Sequence, residues 1–187
     1  MYETNQFRKG LKIELDGTPY AIVDFQFVSP GKGSAFVRTK IKNLLNGNVI
    51  ERTFKSGDKV DKPDLENTEF QYLYMDGEHF VFMNTGNYEQ MPIDASVVGD
   101  SKDFLKENLP VQILFFNGKA ISLELPTFVE VLIVETEPGF KGDTATNTLK
   151  PAIVETGAKI NVPLHVKEGD KIKVDTRDYK YVEKVNK

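Results

Sequence analysis

Two-residue turn signals recur along this chain and limit what it can fold into. Asp-Gly or Asn-Gly pairs stand between runs of β-branched and aromatic residues at positions 16–17, 46–47, 76–77 and 117–118. These dipeptides tolerate the positive φ of the tight turns that join antiparallel strands. Gly157 and Gly169-Asp170 mark further turns later in the chain. The pattern predicts an all-β chain built from short hairpins.

Three turn-rich stretches follow one another, and each has the size of a small barrel. Residues 1–64 contain short strand-like runs and little helix, which suggests an SH3-like barrel. Residues 65–127 contain five strand-like runs, with Asp100-Ser101 predicted to cap a short helix through Asn108, which fits an OB-type barrel. Residues 128–187 alternate strands with turns and indicate a third barrel. The polar segment 55–64 and Pro126 mark the two boundaries.

Composition argues against several kinds of chemistry. The 187 residues include no cysteine, so neither a disulfide nor a thiolate is available. His79 and His165 are far apart, and we predict both as partly exposed strand residues rather than metal ligands or bases. No apolar run approaches the roughly 20 residues that span a bilayer, and the N-terminus lacks a signal-peptide core. We therefore expect a cytoplasmic protein with no membrane segment, no metal and no catalytic residue.

Charge is unevenly distributed along the chain. The net charge is −4, but residues 1–64 carry 11 Lys and Arg against 8 Asp and Glu. Residues 65–127 carry 3 against 10, and residues 128–187 carry 10 of each. The basic surface is therefore concentrated in the first stretch, so the acidic total does not exclude a nucleic-acid partner.

The turn at residues 29–34 differs from the others because it carries a lysine between two glycines. Pro30 presets φ for the second position of a tight turn, and Gly31 tolerates the positive φ that a type II turn needs at its third position. Lys32 is then predicted at a slim hairpin tip, flanked by Gly33 and Ser34, that can enter a narrow anionic space. A solvated turn lysine is the ordinary alternative. A phosphate-binding P-loop fits poorly, because this loop leads into a strand rather than a helix.

Two rows of side chains are candidates for nucleic-acid contact. Arg38, Lys40 and Lys42 are predicted to share a face of the next strand, either as a phosphate-contacting stripe or as a solvated edge. The second row alternates aromatic side chains on two later strands, and it consists of Phe70, Tyr72, Tyr74, Phe80 and Phe82. Aromatic rows on a sheet can stack bases. Because these lie in the acidic stretch, we favour core packing for them.

Short segments occur in an order and spacing that resemble the bacterial elongation factor P family across essentially the whole chain. They are Phe7-Arg8-Lys9-Gly10, Pro30-Gly31-Lys32-Gly33, Ala35-Phe36-Val37-Arg38, Thr53-Phe54-Lys55-Ser56, Gly142-Asp143-Thr144-Ala145-Thr146, Lys150-Pro151-Ala152, Glu155-Thr156-Gly157-Ala158, Val162-Pro163-Leu164 and Val174-Asp175-Thr176-Arg177. Two departures stand out. Asn147-Thr148-Leu149 occupies a stretch that is usually glycine-rich, and Asp178-Tyr179 stands where Thr-Gly is common.

The resemblance implies an SH3-like (KOW-like) first domain and two OB domains in an elongated arrangement like a transfer RNA. It implies binding to both ribosomal subunits between the P and E sites and relief of stalling at consecutive prolines. Lys32 would contact the CCA end of the P-site peptidyl-tRNA. Its loop is completed by Pro30, Gly31, Gly33 and Ser34, and further basic candidates facing nucleic acid are Arg8, Lys9, Arg38, Lys40 and Lys42.

The resemblance also implies a covalent extension of Lys32, such as a β-lysyl or aminopentanol group, added by a separate enzyme. No other cofactor is expected. Gly142, Asp143 and Thr144 match a loop that reaches the small subunit near the E-site codon of the messenger RNA. We expect a monomer. Two other functions stay open: a paralogue with a narrower role, and a stand-alone OB module that binds single-stranded nucleic acid.

Overall fold

A computed structural model describes residues 1–139 and 148–185. Within these residues strands predominate, and the α-helix is a single turn, α1 (Ala95–Val98). The predicted all-β class is confirmed. The described residues divide between two compact units, residues Met1–Thr68 with Ile113–Ser122 and residues Glu69–Gln112 with Leu123–Lys187. The predicted domain boundaries after residues 64 and 127 stay a prediction.

The N-terminal strands enclose one hydrophobic core. They are β1 (Tyr2–Glu3), β2 (Lys12–Leu15), β3 (Thr18–Val28), β4 (Phe36–Asn43), β5 (Val49–Lys55) and β6 (Lys59–Val60). The four longer ones form an antiparallel sheet in the order β2-β3-β4-β5, and β1 pairs with β6. The buried core consists of Phe7, Leu11, Ile13, Ile22, Val37, Ile41, Phe54 and Val60. Alternation along β4 places Val37 and Ile41 in this core.

The middle strands form a second antiparallel sheet in the order β11-β10-β7-β8-β9. They are β7 (Leu65–Asp76), β8 (His79–Asn84), β9 (Gln90–Asp94), β10 (Pro110–Phe116) and β11 (Lys119–Glu124). A helical segment connects β9 to β10, formed by α1 and a 3₁₀ helix at Gly99–Phe104. The helix predicted to run from Asp100 to Asn108 is therefore wrong in both bounds. It stops at Phe104 because Leu105 is extended and buried, which turns the chain into the core.

One predicted face of the middle sheet is also wrong. A β-bulge between Tyr72 and Tyr74 pairs these residues with the adjacent Phe82 and Val81, so they lie on opposite faces. Tyr72 is buried, whereas the side chain of Tyr74 is 51% exposed. The other four aromatic side chains of the predicted row are buried, as core packing requires.

The C-terminal strands form a third antiparallel sheet in the order β14-β13-β12-β15-β16. They are β12 (Phe128–Thr136), β13 (Leu149–Val154), β14 (Lys159–Pro163), β15 (Lys171–Asp175) and β16 (Lys180–Lys184). His165 lies beyond the end of β14, so its predicted place within a strand is wrong, although it is exposed. His79 begins β8, is exposed as predicted, and places its Nε2 atom 3.0 Å from the Asp94 carboxylate.

A carboxylate held by its neighbour fixes the turn after β15. Asp175 is buried and accepts hydrogen bonds from the Arg177 side chain at 3.0 and 2.7 Å and from the Arg177 backbone N–H at 2.9 Å. These side-chain and backbone hydrogen bonds lower the pKa of Asp175 to about 2. A carboxylate with a lowered pKa stabilises the fold above its unfolded-state pKa of about 3.9, and this contribution is lost as the pH falls through the folded value.

We predict that Asp175→Asn lowers the free energy of unfolding, and that the difference from wild type shrinks as the pH falls from about 4 toward about 2. Urea unfolding of both proteins across this pH range measures the effect. Arg177→Met should produce the same pH dependence, because it removes the hydrogen bonds from the other side. A difference that stays constant with pH would contradict the assignment.

Candidate nucleic-acid interface

The strands β3 and β4 pair from the barrel core to a seven-residue loop. Their register runs from Tyr20 opposite Asn43 to Val28 opposite Phe36, which leaves residues 29–35 as the connection. At the core end, Ile22 and Ile41 face each other and are fully buried. The hairpin therefore rises from a rigid base and carries its loop as a slender end.

Lys32 lies at the end of this hairpin in an exposed stretch. Residues 31–34 are all exposed, and Pro30 is half-buried. Gly33 has φ +99°, a conformation that favours glycine. The type II turn predicted over Pro30-Gly31 is wrong, because the positive φ occurs at Gly33 and not at Gly31. In the part of the chain that the structure describes, no hydrogen bond or ion pair holds the Lys32 ammonium group.

The basic row on β4 is exposed on the outer face of the first sheet. Arg38, Lys40 and Lys42 are exposed, and the intervening Val37, Thr39 and Ile41 are buried. Thr39 is satisfied by donating its hydroxyl to the Arg52 carbonyl oxygen at 2.6 Å. This placement is compatible with a phosphate-contacting stripe, which stays a prediction.

The charges of this row are not equivalent. Lys40 stands opposite Asp24 on β3 and opposite Glu51 on β5. Lys9 reaches the same Asp24 carboxylate at 3.8 Å. Arg38 stands opposite Gln26 and Thr53, which are both neutral. Arg38 is therefore the stronger candidate for a phosphate contact, because no acidic side chain stands across from it.

Other predicted site residues are partly placed. Arg8 is exposed and lies with Lys9 just before β2, in the same compact unit as the Lys32 loop. Gly142, Asp143 and Thr144 lie outside the described residues, as does Asn147. The structure describes the two strands that flank this position in the sequence, β12 and β13.

One exposed aromatic residue near the loop is not predicted by the sequence pattern. Phe27 is 56% exposed and lies one residue before the last paired position of β3. Its ring meets that of Phe25 edge to face, with centroids 5.5 Å apart. The run Phe25-Gln26-Phe27 offered a signal, but alternation alone could not tell which phenylalanine the core covers.

The described residues contain neither a membrane-spanning helix nor a cluster of metal-binding side chains. Within them, no helix has both the length and the apolar character to cross a bilayer. Over residues 1–139 and 148–185, no group of three or more His, Asp or Glu side chains is arranged to hold a metal ion.

Family models match the three sheets in turn. The model described as "Elongation factor P (EF-P) KOW-like domain" matches residues 3–60, the elongation factor P OB domain matches residues 65–123, and the elongation factor P C-terminal domain matches residues 129–184. The chain belongs to the elongation factor P family. As a member of this family, it has the role of a translation elongation factor. The OB domain accordingly comprises residues 65–123, and the C-terminal domain comprises residues 129–184.

Relatives cover the chain from end to end. Elongation factor P of Coprothermobacter proteolyticus is 54% identical over 99% of this chain and 100% of its own length. Elongation factor P of Campylobacter fetus is 52% identical over 100% of this chain and 98% of its own length. Among solved structures, "Eukaryotic translation initiation factor 5A from Methanococcus jannaschii" matches 64% of this chain and 88% of its own, with a TM-score of 0.54 and 22% identity. That likeness concerns the fold.

We predict that Arg38→Gln weakens binding to a CCA-ended acceptor-stem RNA more than Lys40→Gln does. Removing a phosphate contact should also reduce the slope of log K against log salt concentration by about 0.7–0.9. Fluorescence titration at several salt concentrations measures both quantities. Lys119→Gln, which removes an exposed lysine at another hairpin turn, is the matched control. Equal losses for Arg38 and Lys40 would show that the facing carboxylates do not matter.

Proposed function

We propose that this chain binds the ribosome between the P and E sites and places Lys32 against the CCA end of the P-site peptidyl-tRNA. In this position it stimulates peptide-bond formation at consecutive prolines. The observation that carries the proposal is one exposed, unpaired lysine at the end of a rigid hairpin, in a chain of this family.

The shape of the hairpin suits this task. Two paired strands lie about 4.8 Å apart, so the stem that carries the loop is narrow up to Val28 and Phe36. The basic row of β4 lies on the outer face of the same hairpin, so phosphate contacts would reinforce its alignment along the transfer RNA. The positive tip and row would then hold the anionic acceptor end in place.

Positioning alone can account for the effect. Proline is a constrained nucleophile and also a constrained peptidyl end, so the slow step is geometric. Holding two reactants in a reactive orientation can contribute several kcal/mol. The chain would act as a positioning factor rather than an enzyme, and the ribosome would supply the reaction site.

Covalent extension of Lys32 fits the same geometry. The amine is exposed at a loop whose neighbouring glycines leave open space, so a modifying enzyme could reach it. A β-lysyl or aminopentanol group would lengthen the cationic arm without widening the hairpin. We propose no other cofactor.

A second contact would involve the small subunit. Gly142, Asp143 and Thr144 lie between β12 and β13 in the sequence, and we propose that they reach the messenger RNA near the E-site codon.

The chain would work in the cytoplasm as a monomer. A stand-alone OB module for single-stranded nucleic acid is disfavoured, because four of the five candidate stacking aromatics are buried.

We predict that Lys32→Ala abolishes acceleration of translation through a Pro-Pro-Pro reporter while the free energy of unfolding stays within about 1 kcal/mol of wild type. An exposed loop lysine contributes little to packing, but its loss removes both reach and charge from the reaction site. In vitro translation and thermal unfolding of the same preparations measure the two effects. Lys119→Ala should keep full activity.

Lys32→Arg should also fail wherever the host extends the amine, since a guanidinium group is a poor nucleophile and cannot be modified in the same way. Intact mass of the protein from its own host would establish whether the extension is present. Full acceleration by Lys32→Ala would refute the proposed role of the hairpin tip.

We predict that Asp143→Ala weakens ribosome binding and reduces acceleration of the reporter without changing thermal unfolding. The expected cause is loss of a polar contact to the small subunit. Titration of ribosomes into the labelled variant measures the affinity. An unchanged affinity together with unchanged acceleration would mean that this loop is a solvated connection.

A further inference from the structure

Contacts between the OB domain and the C-terminal domain gather on one short segment, residues 100–106. The Thr156 hydroxyl donates a hydrogen bond to the Asp103 carbonyl oxygen. The Lys106 ammonium donates to the Glu130 carbonyl oxygen at 2.6 Å and lies 3.5 Å from the Glu155 carboxylate. The segment thus holds β12 and the turn between β13 and β14, and it lies in the same compact unit as the C-terminal domain.

Tyr179 adds a third attachment from the turn between β15 and β16. Its ring meets that of Phe104 at a centroid distance of 4.8 Å and an interplanar angle of 60°. Phe104 is only 1% exposed, so the Tyr179 ring helps to cover a core side chain of the other domain. The Tyr179 hydroxyl donates to the Asp103 carboxylate at 2.9 Å.

The backbone of Tyr179 makes this arrangement unusual. Its φ is +61°, a left-handed conformation that is disfavoured for a bulky side chain and natural for glycine. Burial, followed by the Asp103 carboxylate, raises the pKa of Tyr179 to about 12, which is the direction expected for a hydroxyl that donates to a carboxylate. The contacts of the Tyr179 side chain with the other domain therefore offset the free-energy cost of its left-handed backbone.

We propose that Tyr179 is a positioning residue that latches the C-terminal domain to the OB domain and so fixes the orientation of strands β12 and β13 relative to the OB domain. This inference rests on the proposed function for its consequence on the ribosome, because β12 and β13 flank Gly142, Asp143 and Thr144 in the sequence. The latch itself is a property of the free protein.

Tyr179 is a better latch than its neighbours. The Lys106 and Glu155 side chains are 36% and 28% exposed, so their ion pair is screened by water. The Thr156 hydroxyl bonds to a backbone carbonyl, which is a neutral acceptor. Tyr179 combines an aromatic contact with a hydrogen bond to a charged acceptor, which is stronger than a neutral one.

The experiment measures residual dipolar couplings of backbone amides in both domains of the full chain. In wild type, the couplings of the two domains should fit one alignment tensor. In Tyr179→Gly they should require two different tensors, while each domain alone still fits well. Tyr179→Phe removes the hydroxyl contacts to the Asp103 carboxylate and to the Asp100 carbonyl oxygen, whereas Asp103→Ala removes only the first. Both variants keep the ring contact, so both should give a smaller divergence than Tyr179→Gly.

Tyr88→Gly is the matched control. Tyr88 also has a left-handed backbone, with φ +64°, but its side chain is 72% exposed. The substitution relieves the same kind of strain without removing a domain contact, so a single tensor should remain. A single tensor in Tyr179→Gly as well would overturn the latch, whatever its thermal stability.

The translation assay then tests the consequence. Tyr179→Gly should raise the concentration of factor needed for half-maximal acceleration severalfold and leave the maximal rate unchanged. The reason is that ordering of the C-terminal domain would then occur at binding, while Lys32 still reaches its target. A lower maximal rate with an unchanged half-maximal concentration would overturn this role. If wild type itself gave no acceleration, the proposed function would be refuted. The residual dipolar couplings would still show whether Tyr179 holds the two domains together.

Discussion

The β-bulge at Val23 is the constraint on which the candidate interface depends. Ile22 pairs with Ile41 and Asp24 pairs with Lys40, so Val23 has no partner of its own. If the register of Ile22 and Ile41 continued through Val23 without a bulge, Asp24 would pair with the buried Thr39 and Phe25 with the exposed Arg38, because a one-residue slip exchanges the faces of a strand. The bulge keeps the carboxylate outside and pairs Phe25 with the buried Thr39 and Phe27 with the buried Val37.

The register beyond the bulge then determines which basic side chains stand opposite acidic ones. It sets Lys40 between two acidic side chains and leaves Arg38 between two neutral ones. Exposed ion pairs contribute little to stability, so this pattern matters more for the local potential that a phosphate meets than for folding. The hairpin base is rigid because Thr39 satisfies its buried hydroxyl and Phe54 and Val37 pack beneath it.

The turn dipeptides and the alternation of apolar residues predicted the all-β fold. They failed where a β-bulge inserts an extra residue into a strand. The Asp-Gly and Asn-Gly pairs mark real hairpins, since Gly17, Gly47, Gly77 and Gly118 all have positive φ. The face of Tyr74 was misjudged because a bulge carries no clear sequence signal. The exposure of Phe27 and the contacts of Tyr179 depend on residues distant in sequence, which no local pattern reveals. Lys32, by contrast, could be located from its neighbouring glycines alone.

A factor that acts by positioning must lose its own flexibility before it binds, because any freedom left in the scaffold is lost during binding and weakens it. The described structure follows this rule in its sheets. Bulges, buried threonines and the Tyr179 contacts remove freedom from the domains, while the Lys32 ammonium remains without a partner. A left-handed tyrosine is tolerated at Tyr179 because the ring and hydroxyl both find partners there. At Tyr88 the described contacts do not offset the same backbone strain. Tyr88→Gly should therefore raise the free energy of unfolding of the free protein.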